Sequence, residues 1–144
     1  MHIAIASDHA AFPLKGVLVA WLRDAGHDVT DLGPSDETSV DYPDYGHALA
    51  AHIAADKATR GIALCGSGIG IAIAVNRNPA CRCARVSEPL SAALAREHND
   101  ANVIAMGARL IGIDMAKACI TAFLDTPFGG GRHTVRVEKL SRPR

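Results

Sequence analysis

Gly61-Ile-Ala-Leu-Cys65 runs directly into Gly66-Ser-Gly-Ile-Gly70 and then into Ile71-Ala-Ile-Ala-Val75. A short apolar run, a glycine-rich turn and a second apolar run read as a buried strand turning into a helix. The same pattern recurs on either side. His2–Ser7 reads as a first strand, Asp8–Ala11 as a loop, and Pro13 suits the first turn of a helix. Leu14, Val17, Leu18, Trp21 and Leu22 share one face of that helix, which Gly26 can close. His27–Leu32 follows as a strand, Gly33–Pro43 as a polar loop and Ala48–Ala55 as a helix. Beyond the glycine turn come a strand over Cys81–Val86, a helix capped by Ser87 with Pro89 in its first turn, and a strand over Asn102–Met106. A helix over Asp114–Leu124 and a basic terminal helix after the Gly129–Gly131 hinge complete the chain. Strands alternating with helices imply parallel pairing and right-handed crossovers. The expectation is a single doubly wound, Rossmann-like α/β domain over residues 1–144, with about five parallel strands and helices on both faces.

Composition agrees with this. The chain has 144 residues, of which 49% are hydrophobic and only 4% aromatic, and 26 are alanine. An aliphatic, small-residue core lets helices lie close to a sheet. Fifteen basic residues balance fifteen acidic ones, which argues against nucleic acid as a partner. No apolar run approaches the roughly 20 residues of a membrane span, and the amino terminus opens as a strand without a signal peptide's charged start. Four cysteines at 65, 81, 83 and 119 sit in apolar runs and read as reduced thiols, so the expected location is the cytoplasm. Charge is uneven: seven acids and no base lie between Asp24 and Asp44, while Arg132, Arg136, Lys139, Arg142 and Arg144 face one acid in the tail. The first stretch reads as a solvated surface. The second reads as a solvated face, an anion site or a dock for another subunit.

Doubly wound sheets bind ligands beyond the carboxyl ends of their strands. That selects Ser7–Ala11, Cys65–Gly70 and the segment after Met106. The amides of the glycine turn can converge on an anion or a developing oxyanion. Three better-known readings of the turn fail on spacing. A dinucleotide fingerprint needs Gly where Ile71 stands, a P-loop needs a Gly-Lys-Ser/Thr ending, and a cysteine phosphatase loop needs Arg at position 71. What remains is a thiol beside a nest of amides. A free thiol titrates near about 8.5, and a helix amino terminus lowers this enough to populate thiolate near neutral pH. Cys65 then reads as nucleophile or base, against the plainer alternative of a small buried hydrophobe. His98 and Asn99, at a helix end and expected close to the ligand-binding edge, offer proton transfer and hydroxyl recognition or merely a local cap, and Asp8-His9 has the same logic. Arg132 and Arg136, four apart, form a phosphate clamp or a solvated face, and Arg109 is a further anion ligand. Cys81 and Cys83 would point to one face of a strand, where core packing outweighs metal binding. His27, His47, His52 and Cys119 read as structural.

Ser7-Asp-His-Ala-Ala-Phe-Pro-Leu-Lys15, Asp41-Tyr-Pro-Asp-Tyr45, Cys65-Gly-Ser-Gly-Ile-Gly70, Ser87-Glu-Pro89, Arg96-Glu-His-Asn-Asp-Ala-Asn102, Gly107-Ala-Arg109 and Gly130-Gly-Arg-His133 run in order from end to end. Together they resemble the type B ribose-5-phosphate isomerases and their sugar-phosphate isomerase relatives. The resemblance implies a metal-free, cofactor-free interconversion of ribose 5-phosphate and ribulose 5-phosphate. It assigns Cys65 as the base and His98 as the proton donor that opens the furanose ring, with Asp8 and Ser67 assisting. It implies that the Gly66, Ser67, Gly68, Ile69 and Gly70 amides hold the enediolate. His9, Arg132 and Arg136 would take the phosphate, and Asn99 and Arg109 would complete the pocket. It also implies a homodimer or tetramer with the site at a subunit interface, so that His98 serves its neighbour's Cys65. Two positions depart from the family pattern. Some members lack the cysteine and use Glu at position 71, where Ile71 stands here, and Ala11 replaces a common Gly. A six-carbon sugar-phosphate isomerase and a non-catalytic sugar-phosphate-binding module are the competing readings.

Overall fold

The computed structural model describes residues 1–142, so Arg144 of the basic tail lies outside the described residues. In chain order the elements are β1 (His2–Ser7), a 3₁₀ turn (His9–Ala11), α1 (Phe12–Asp24), β2 (Asp28–Asp31), α2 (Tyr42–Ala54), β3 (Arg60–Cys65) and α3 (Ile69–Val75). Then follow β4 (Cys83–Arg85), α4 (Pro89–Asn99), β5 (Val103–Gly107), α5 (Ile113–Asp125) and α6 (Arg132–Leu140). The five strands form one sheet in the order β2-β1-β3-β5-β4, with every pairing parallel. The order reverses direction between β1 and β3, which makes the carboxyl ends of these two strands the switch point of the sheet.

The strands sort their side chains by size. Ile3, Ile5, Ile62, Leu64, Ile104 and Met106 pack on one face against α1, α4 and α5. Ala4, Ala6, Ala63, Cys65 and Ala105 face α2 and α3. Small residues on the second face allow close helix approach. A methyl added at Gly46 in α2 would stand 2.8 Å from Ala74 of α3, and one at Gly61 would stand 3.0 Å from Val103.

Local signals account for most boundaries. Helix α1 ends as expected at Gly26, whose φ of +88° and amide bond to the Arg23 carbonyl accompany a bond from the His27 amide to the Leu22 carbonyl. Helix α2 begins at Tyr42, six residues before the expected Ala48, because Asp41 is extended at the cap and Pro43 occupies the first turn. The cap of α4 is Glu88 and not Ser87: its carboxylate accepts from the Ser91 amide, while the Ser87 hydroxyl is engaged by Arg85. Strand β4 is limited to three residues, shorter than the expected Cys81–Val86. Among the described residues no helix is long and apolar enough to cross a membrane.

Candidate active site

The turn after β3 is bent tightly against β5. Gly68 has φ +76°, and a methyl there would lie 2.7 Å from the Met106 carbonyl carbon. Only glycine combines that backbone with that clearance. The bend brings the Gly68 amide onto Cys65, donating to Sγ at 3.1 Å. Ser67 Oγ accepts from the Ile69 amide at 3.2 Å, and Cys65 is 3% exposed.

An open cleft of about 590 Å³ lies over this turn, lined by Asp8, Tyr42, Cys65, Gly66, Ser67, Ile69, Gly70, Ile73, Arg109 and Leu110. Asp8 follows β1, bonds through its amide to the Leu64 carbonyl, and caps the 3₁₀ turn by accepting from the Ala11 amide at 3.1 Å. His9 is held from across the cleft's edge by Val40, whose amide nitrogen lies 3.1 Å and whose carbonyl oxygen lies 3.3 Å from its Nδ1. Arg109 lies beside Gly66, whose carbonyl accepts from the Arg109 amide at 3.0 Å.

The loop after β2 is fixed from beneath. Lys15, 2% exposed, donates to both Asp31 carboxylate oxygens at 2.6 Å and to the Pro34 carbonyl at 2.9 Å. All three ammonium protons are engaged, as a buried charge requires.

His98 and Asn99 are elsewhere, which corrects the expectation that they sit near the ligand-binding edge of the same chain. Helix α4 starts beyond the carboxyl end of β4 and returns to the amino end of β5. Its eleven residues span about 16 Å at 1.5 Å per residue, so its last turn stands at the opposite edge from Cys65. There the His98 ring stacks on His133 of α6, with centroids 4.5 Å apart and planes 14° apart. Partial burial lowers the His133 pKa below the ordinary imidazole value, and charge repulsion from Arg132, Arg136 and, when it is protonated, His98 adds to that shift. A hollow of about 320 Å³ at this edge is lined by Asn76, Arg82, Cys83, Asn99 and Leu140, among others. The candidate residues therefore form two groups: Asp8, His9, Cys65–Gly70 and Arg109 at the carboxyl edge, and His98, Asn99, Arg132 and Arg136 at the amino edge.

Two residues that touch the glycine turn were given no role by the sequence. Tyr42 packs so closely that a methyl at Gly70 would meet its ring at 2.5 Å, and its place at the start of a proline-marked helix was the available signal. Arg85 donates from Nε to the Ser67 carbonyl at 3.1 Å. No local spacing announces that contact, since 18 residues separate the two.

The remaining thiols are packing groups. Burial pushes the Cys81 thiol up to about 11, and burial with the neighbouring Cys81 raises Cys83 further. Among the described residues no group of three or more His, Cys, Asp or Glu side chains converges to hold a metal ion.

Residues 3–140 match the family model described as Ribose/Galactose Isomerase. The chain is 42% identical over 139 residues to ribose-5-phosphate isomerase B of Escherichia coli, covering 96% of this chain and 93% of that protein. It is 43% identical over 142 residues to a D-erythrulose-4-phosphate isomerase of Pectobacterium atrosepticum, covering 97% and 93%. Among solved structures, a Thermotoga maritima ribose 5-phosphate isomerase superposes with a TM-score of 0.95 at 46% identity, covering 97% of each chain. A ribose-5-phosphate isomerase B from Clostridium thermocellum superposes at 0.96 with 41% identity, covering 98% of this chain and 95% of that one.

Proposed function

The chain belongs to the ribose/galactose isomerase family, and from that premise we propose that it interconverts D-ribose 5-phosphate and D-ribulose 5-phosphate, a cytoplasmic step of the pentose phosphate pathway. The observation that carries the mechanism is the Gly68 amide on Cys65 Sγ at 3.1 Å, at the floor of an open cleft. In this reading the thiolate takes the C2 proton of the open-chain aldose. The C2 electron pair forms the C1=C2 bond while the carbonyl oxygen on C1 gains negative charge, giving the enediolate. The C2 hydroxyl proton moves to the C1 oxygen, and the thiol returns its proton to C1 as the C2 oxygen becomes the ketone, which restores the thiolate. The C2 proton is very weakly acidic, so the main task is holding charge on the enediolate oxygens. The amides of the turn that are not already engaged on Cys65 or Ser67, those of Gly66, Ser67 and Gly70, suit that task, since removing one such donor typically costs on the order of 10²–10³ in rate. Asp8 and Ser67 assist at the ring oxygen and hydroxyls. His9 and Arg109 contact the substrate from the same side.

The other half of the site comes from a second copy of the chain. His98 would open the ring, Asn99 would read a hydroxyl, and Arg132 with Arg136 would clamp the phosphate, a remote anchor that orients the reacting carbons. The separation of the two groups by the length of the strands supports this, as does exposed apolar surface at both ends. Helix α6 has no buried residue and leaves Val135 and Leu140 exposed, while Tyr42, Ile69, Ile73 and Leu110 are exposed at the cleft.

Two inactive variants test base and assembly together. Cys65→Ala and His98→Asn each lose turnover of ribose 5-phosphate, with Cys65→Ala still binding it. After unfolding and refolding as an equimolar mixture, random pairing puts one intact site in each mixed dimer, so about a quarter of wild-type activity returns. Absence of recovery from such mixed dimers would refute the shared site, and turnover by Cys65→Ala would remove the thiol base. The same assay with four- and six-carbon aldose phosphates tests the sugar, and faster turnover of either overturns the five-carbon assignment.

A further inference from the structure

The Ser67 carbonyl that accepts from Arg85 and the Gly68 N–H that donates to Cys65 are the two ends of one peptide group. Arg85 Nε donates to the carbonyl at 3.1 Å, and the amide reaches sulfur at 3.1 Å. The guanidinium is itself braced, donating from Nη1 to the Ser87 hydroxyl at the entrance to α4. Among the described residues no carboxylate lies within salt-bridge distance of Arg85, so its charge is not neutralised by an ion pair. A cation on a peptide carbonyl strengthens the hydrogen bond made by the N–H of that peptide, because the two bonds polarise each other. The peptide also lies between Ser67 and a left-handed Gly68, where the backbone has little intrinsic preference for one plane over another.

We propose that Arg85 is a positioning residue for proton transfer at Cys65: it fixes the plane of the Ser67–Gly68 peptide and polarises it, so that its N–H holds negative charge on the sulfur. The inference rests on the reading of Cys65 as the base. The other charged or titratable groups lining the cleft with the thiol are Asp8 beyond β1, Tyr42 at the start of α2 and Arg109 beyond β5, and Tyr45 of α2, Cys81 and Cys83 belong to the buried cluster behind it. Helix α3 contributes none. A change at Arg85 leaves all of these in place, so the response of the thiol reports on Arg85 itself.

The test uses the full chain with Arg85→Leu, which removes donor and charge, and Arg85→Lys, which keeps the charge without the fork. Arg85 is exposed, so both variants keep the core. Two quantities are read between pH 5 and 10: the rate of Cys65 alkylation by iodoacetamide, followed by peptide mass spectrometry, and kcat and KM for ribose 5-phosphate. In Arg85→Leu the alkylation midpoint moves to higher pH by about half to one unit, in keeping with loss of one charge-assisted, cooperative contact. At pH 7 kcat falls about three- to tenfold, the deficit narrows above the midpoint, and KM stays within about twofold. Arg85→Lys recovers part of both effects. An unchanged alkylation profile in Arg85→Leu overturns the proposal, as does a raised KM with unchanged kcat, which would make Arg85 a substrate contact. Turnover by Cys65→Ala is a different failure: it removes the thiol base and the proposal with it, whereas an inactive Cys65→Ala beside an unaffected Arg85→Leu refutes the positioning role alone.

Discussion

Replacing Gly107 by Ala should separate the placement of the glycine turn from the stability of the sheet. Gly107 ends β5 in register with Cys65 of β3. A methyl on it would stand 2.6 Å from the carbonyl carbon and oxygen of Ser67 and 2.8 Å from Ser67 Cα. Ordinary contact begins near 3.4 Å, so the two backbones must part by about 0.8 Å. Strand β5 pairs with both β3 and β4, so the turn is the partner that yields. A shift of that size carries the Gly68 amide off the Cys65 sulfur, and misplacements near 1 Å cost about 10² in rate. Overpacking of this kind costs about 1–3 kcal/mol, or roughly 4–10 °C in Tm for a chain of this size. Gly16→Ala is the control, because nothing lies within 4 Å of its added methyl and Gly16 is inside α1. It should gain about 0.5–1 kcal/mol and leave kcat unchanged. The assay is steady-state formation of ribulose 5-phosphate alongside thermal unfolding. If Gly107→Ala shows the loss of Tm while kcat stays within twofold of wild type, the chemistry does not depend on where this turn sits.

Arg96 is 3% exposed and binds Asp100 at 2.8 Å, the Ala101 carbonyl at 2.6 Å and the Thr126 carbonyl at 3.3 Å. Arg96→Leu strands these acceptors and should lower unfolding free energy by about 2–4 kcal/mol in urea titrations; a loss under 1 kcal/mol would contradict the network. The Cys81 thiol, held up to about 11 against an ordinary value of 9.0, favours the protonated form in the folded state. Its contribution is therefore complete below about pH 9 and is lost as pH rises towards 11. The gap in urea midpoint between wild type and Cys81→Ala should shrink from pH 8 to pH 10.5, and a constant gap would refute the burial. Since no donor cluster for a metal ion occurs among the described residues, extensive dialysis against a chelator should leave kcat unchanged, and activity lost then restored by Zn²⁺ or Mg²⁺ would contradict the proposed chemistry.

Much of the fold is legible because each strand is a short apolar run closed by a turn signal. Less visible is the alternation inside those runs. Ile3 and Ile5 against Ala4 and Ala6, repeated in β3 and β5, assign the strands' two faces to different sets of helices, and the same reading that found the strands had the letters to find this. Pro43 marked a helix start just as Pro13 and Pro89 did, but the acidic run before it drew the boundary too late. Arg85 and Tyr42 reach the glycine turn through tertiary packing, which no spacing in one chain encodes. The position of His98 is different, because it follows from the topology alone. In a parallel sheet a residue just before a strand stands at the amino edge, and a residue just after a strand stands at the carboxyl edge. Cys65 ends β3, and His98 lies at the end of the helix that leads into β5. No adjustment of loops within one chain brings the two together across the sheet. If thiol and imidazole serve one substrate, the fold requires two chains to build the site, and the exposed apolar side chains at both edges are the surfaces available for doing so.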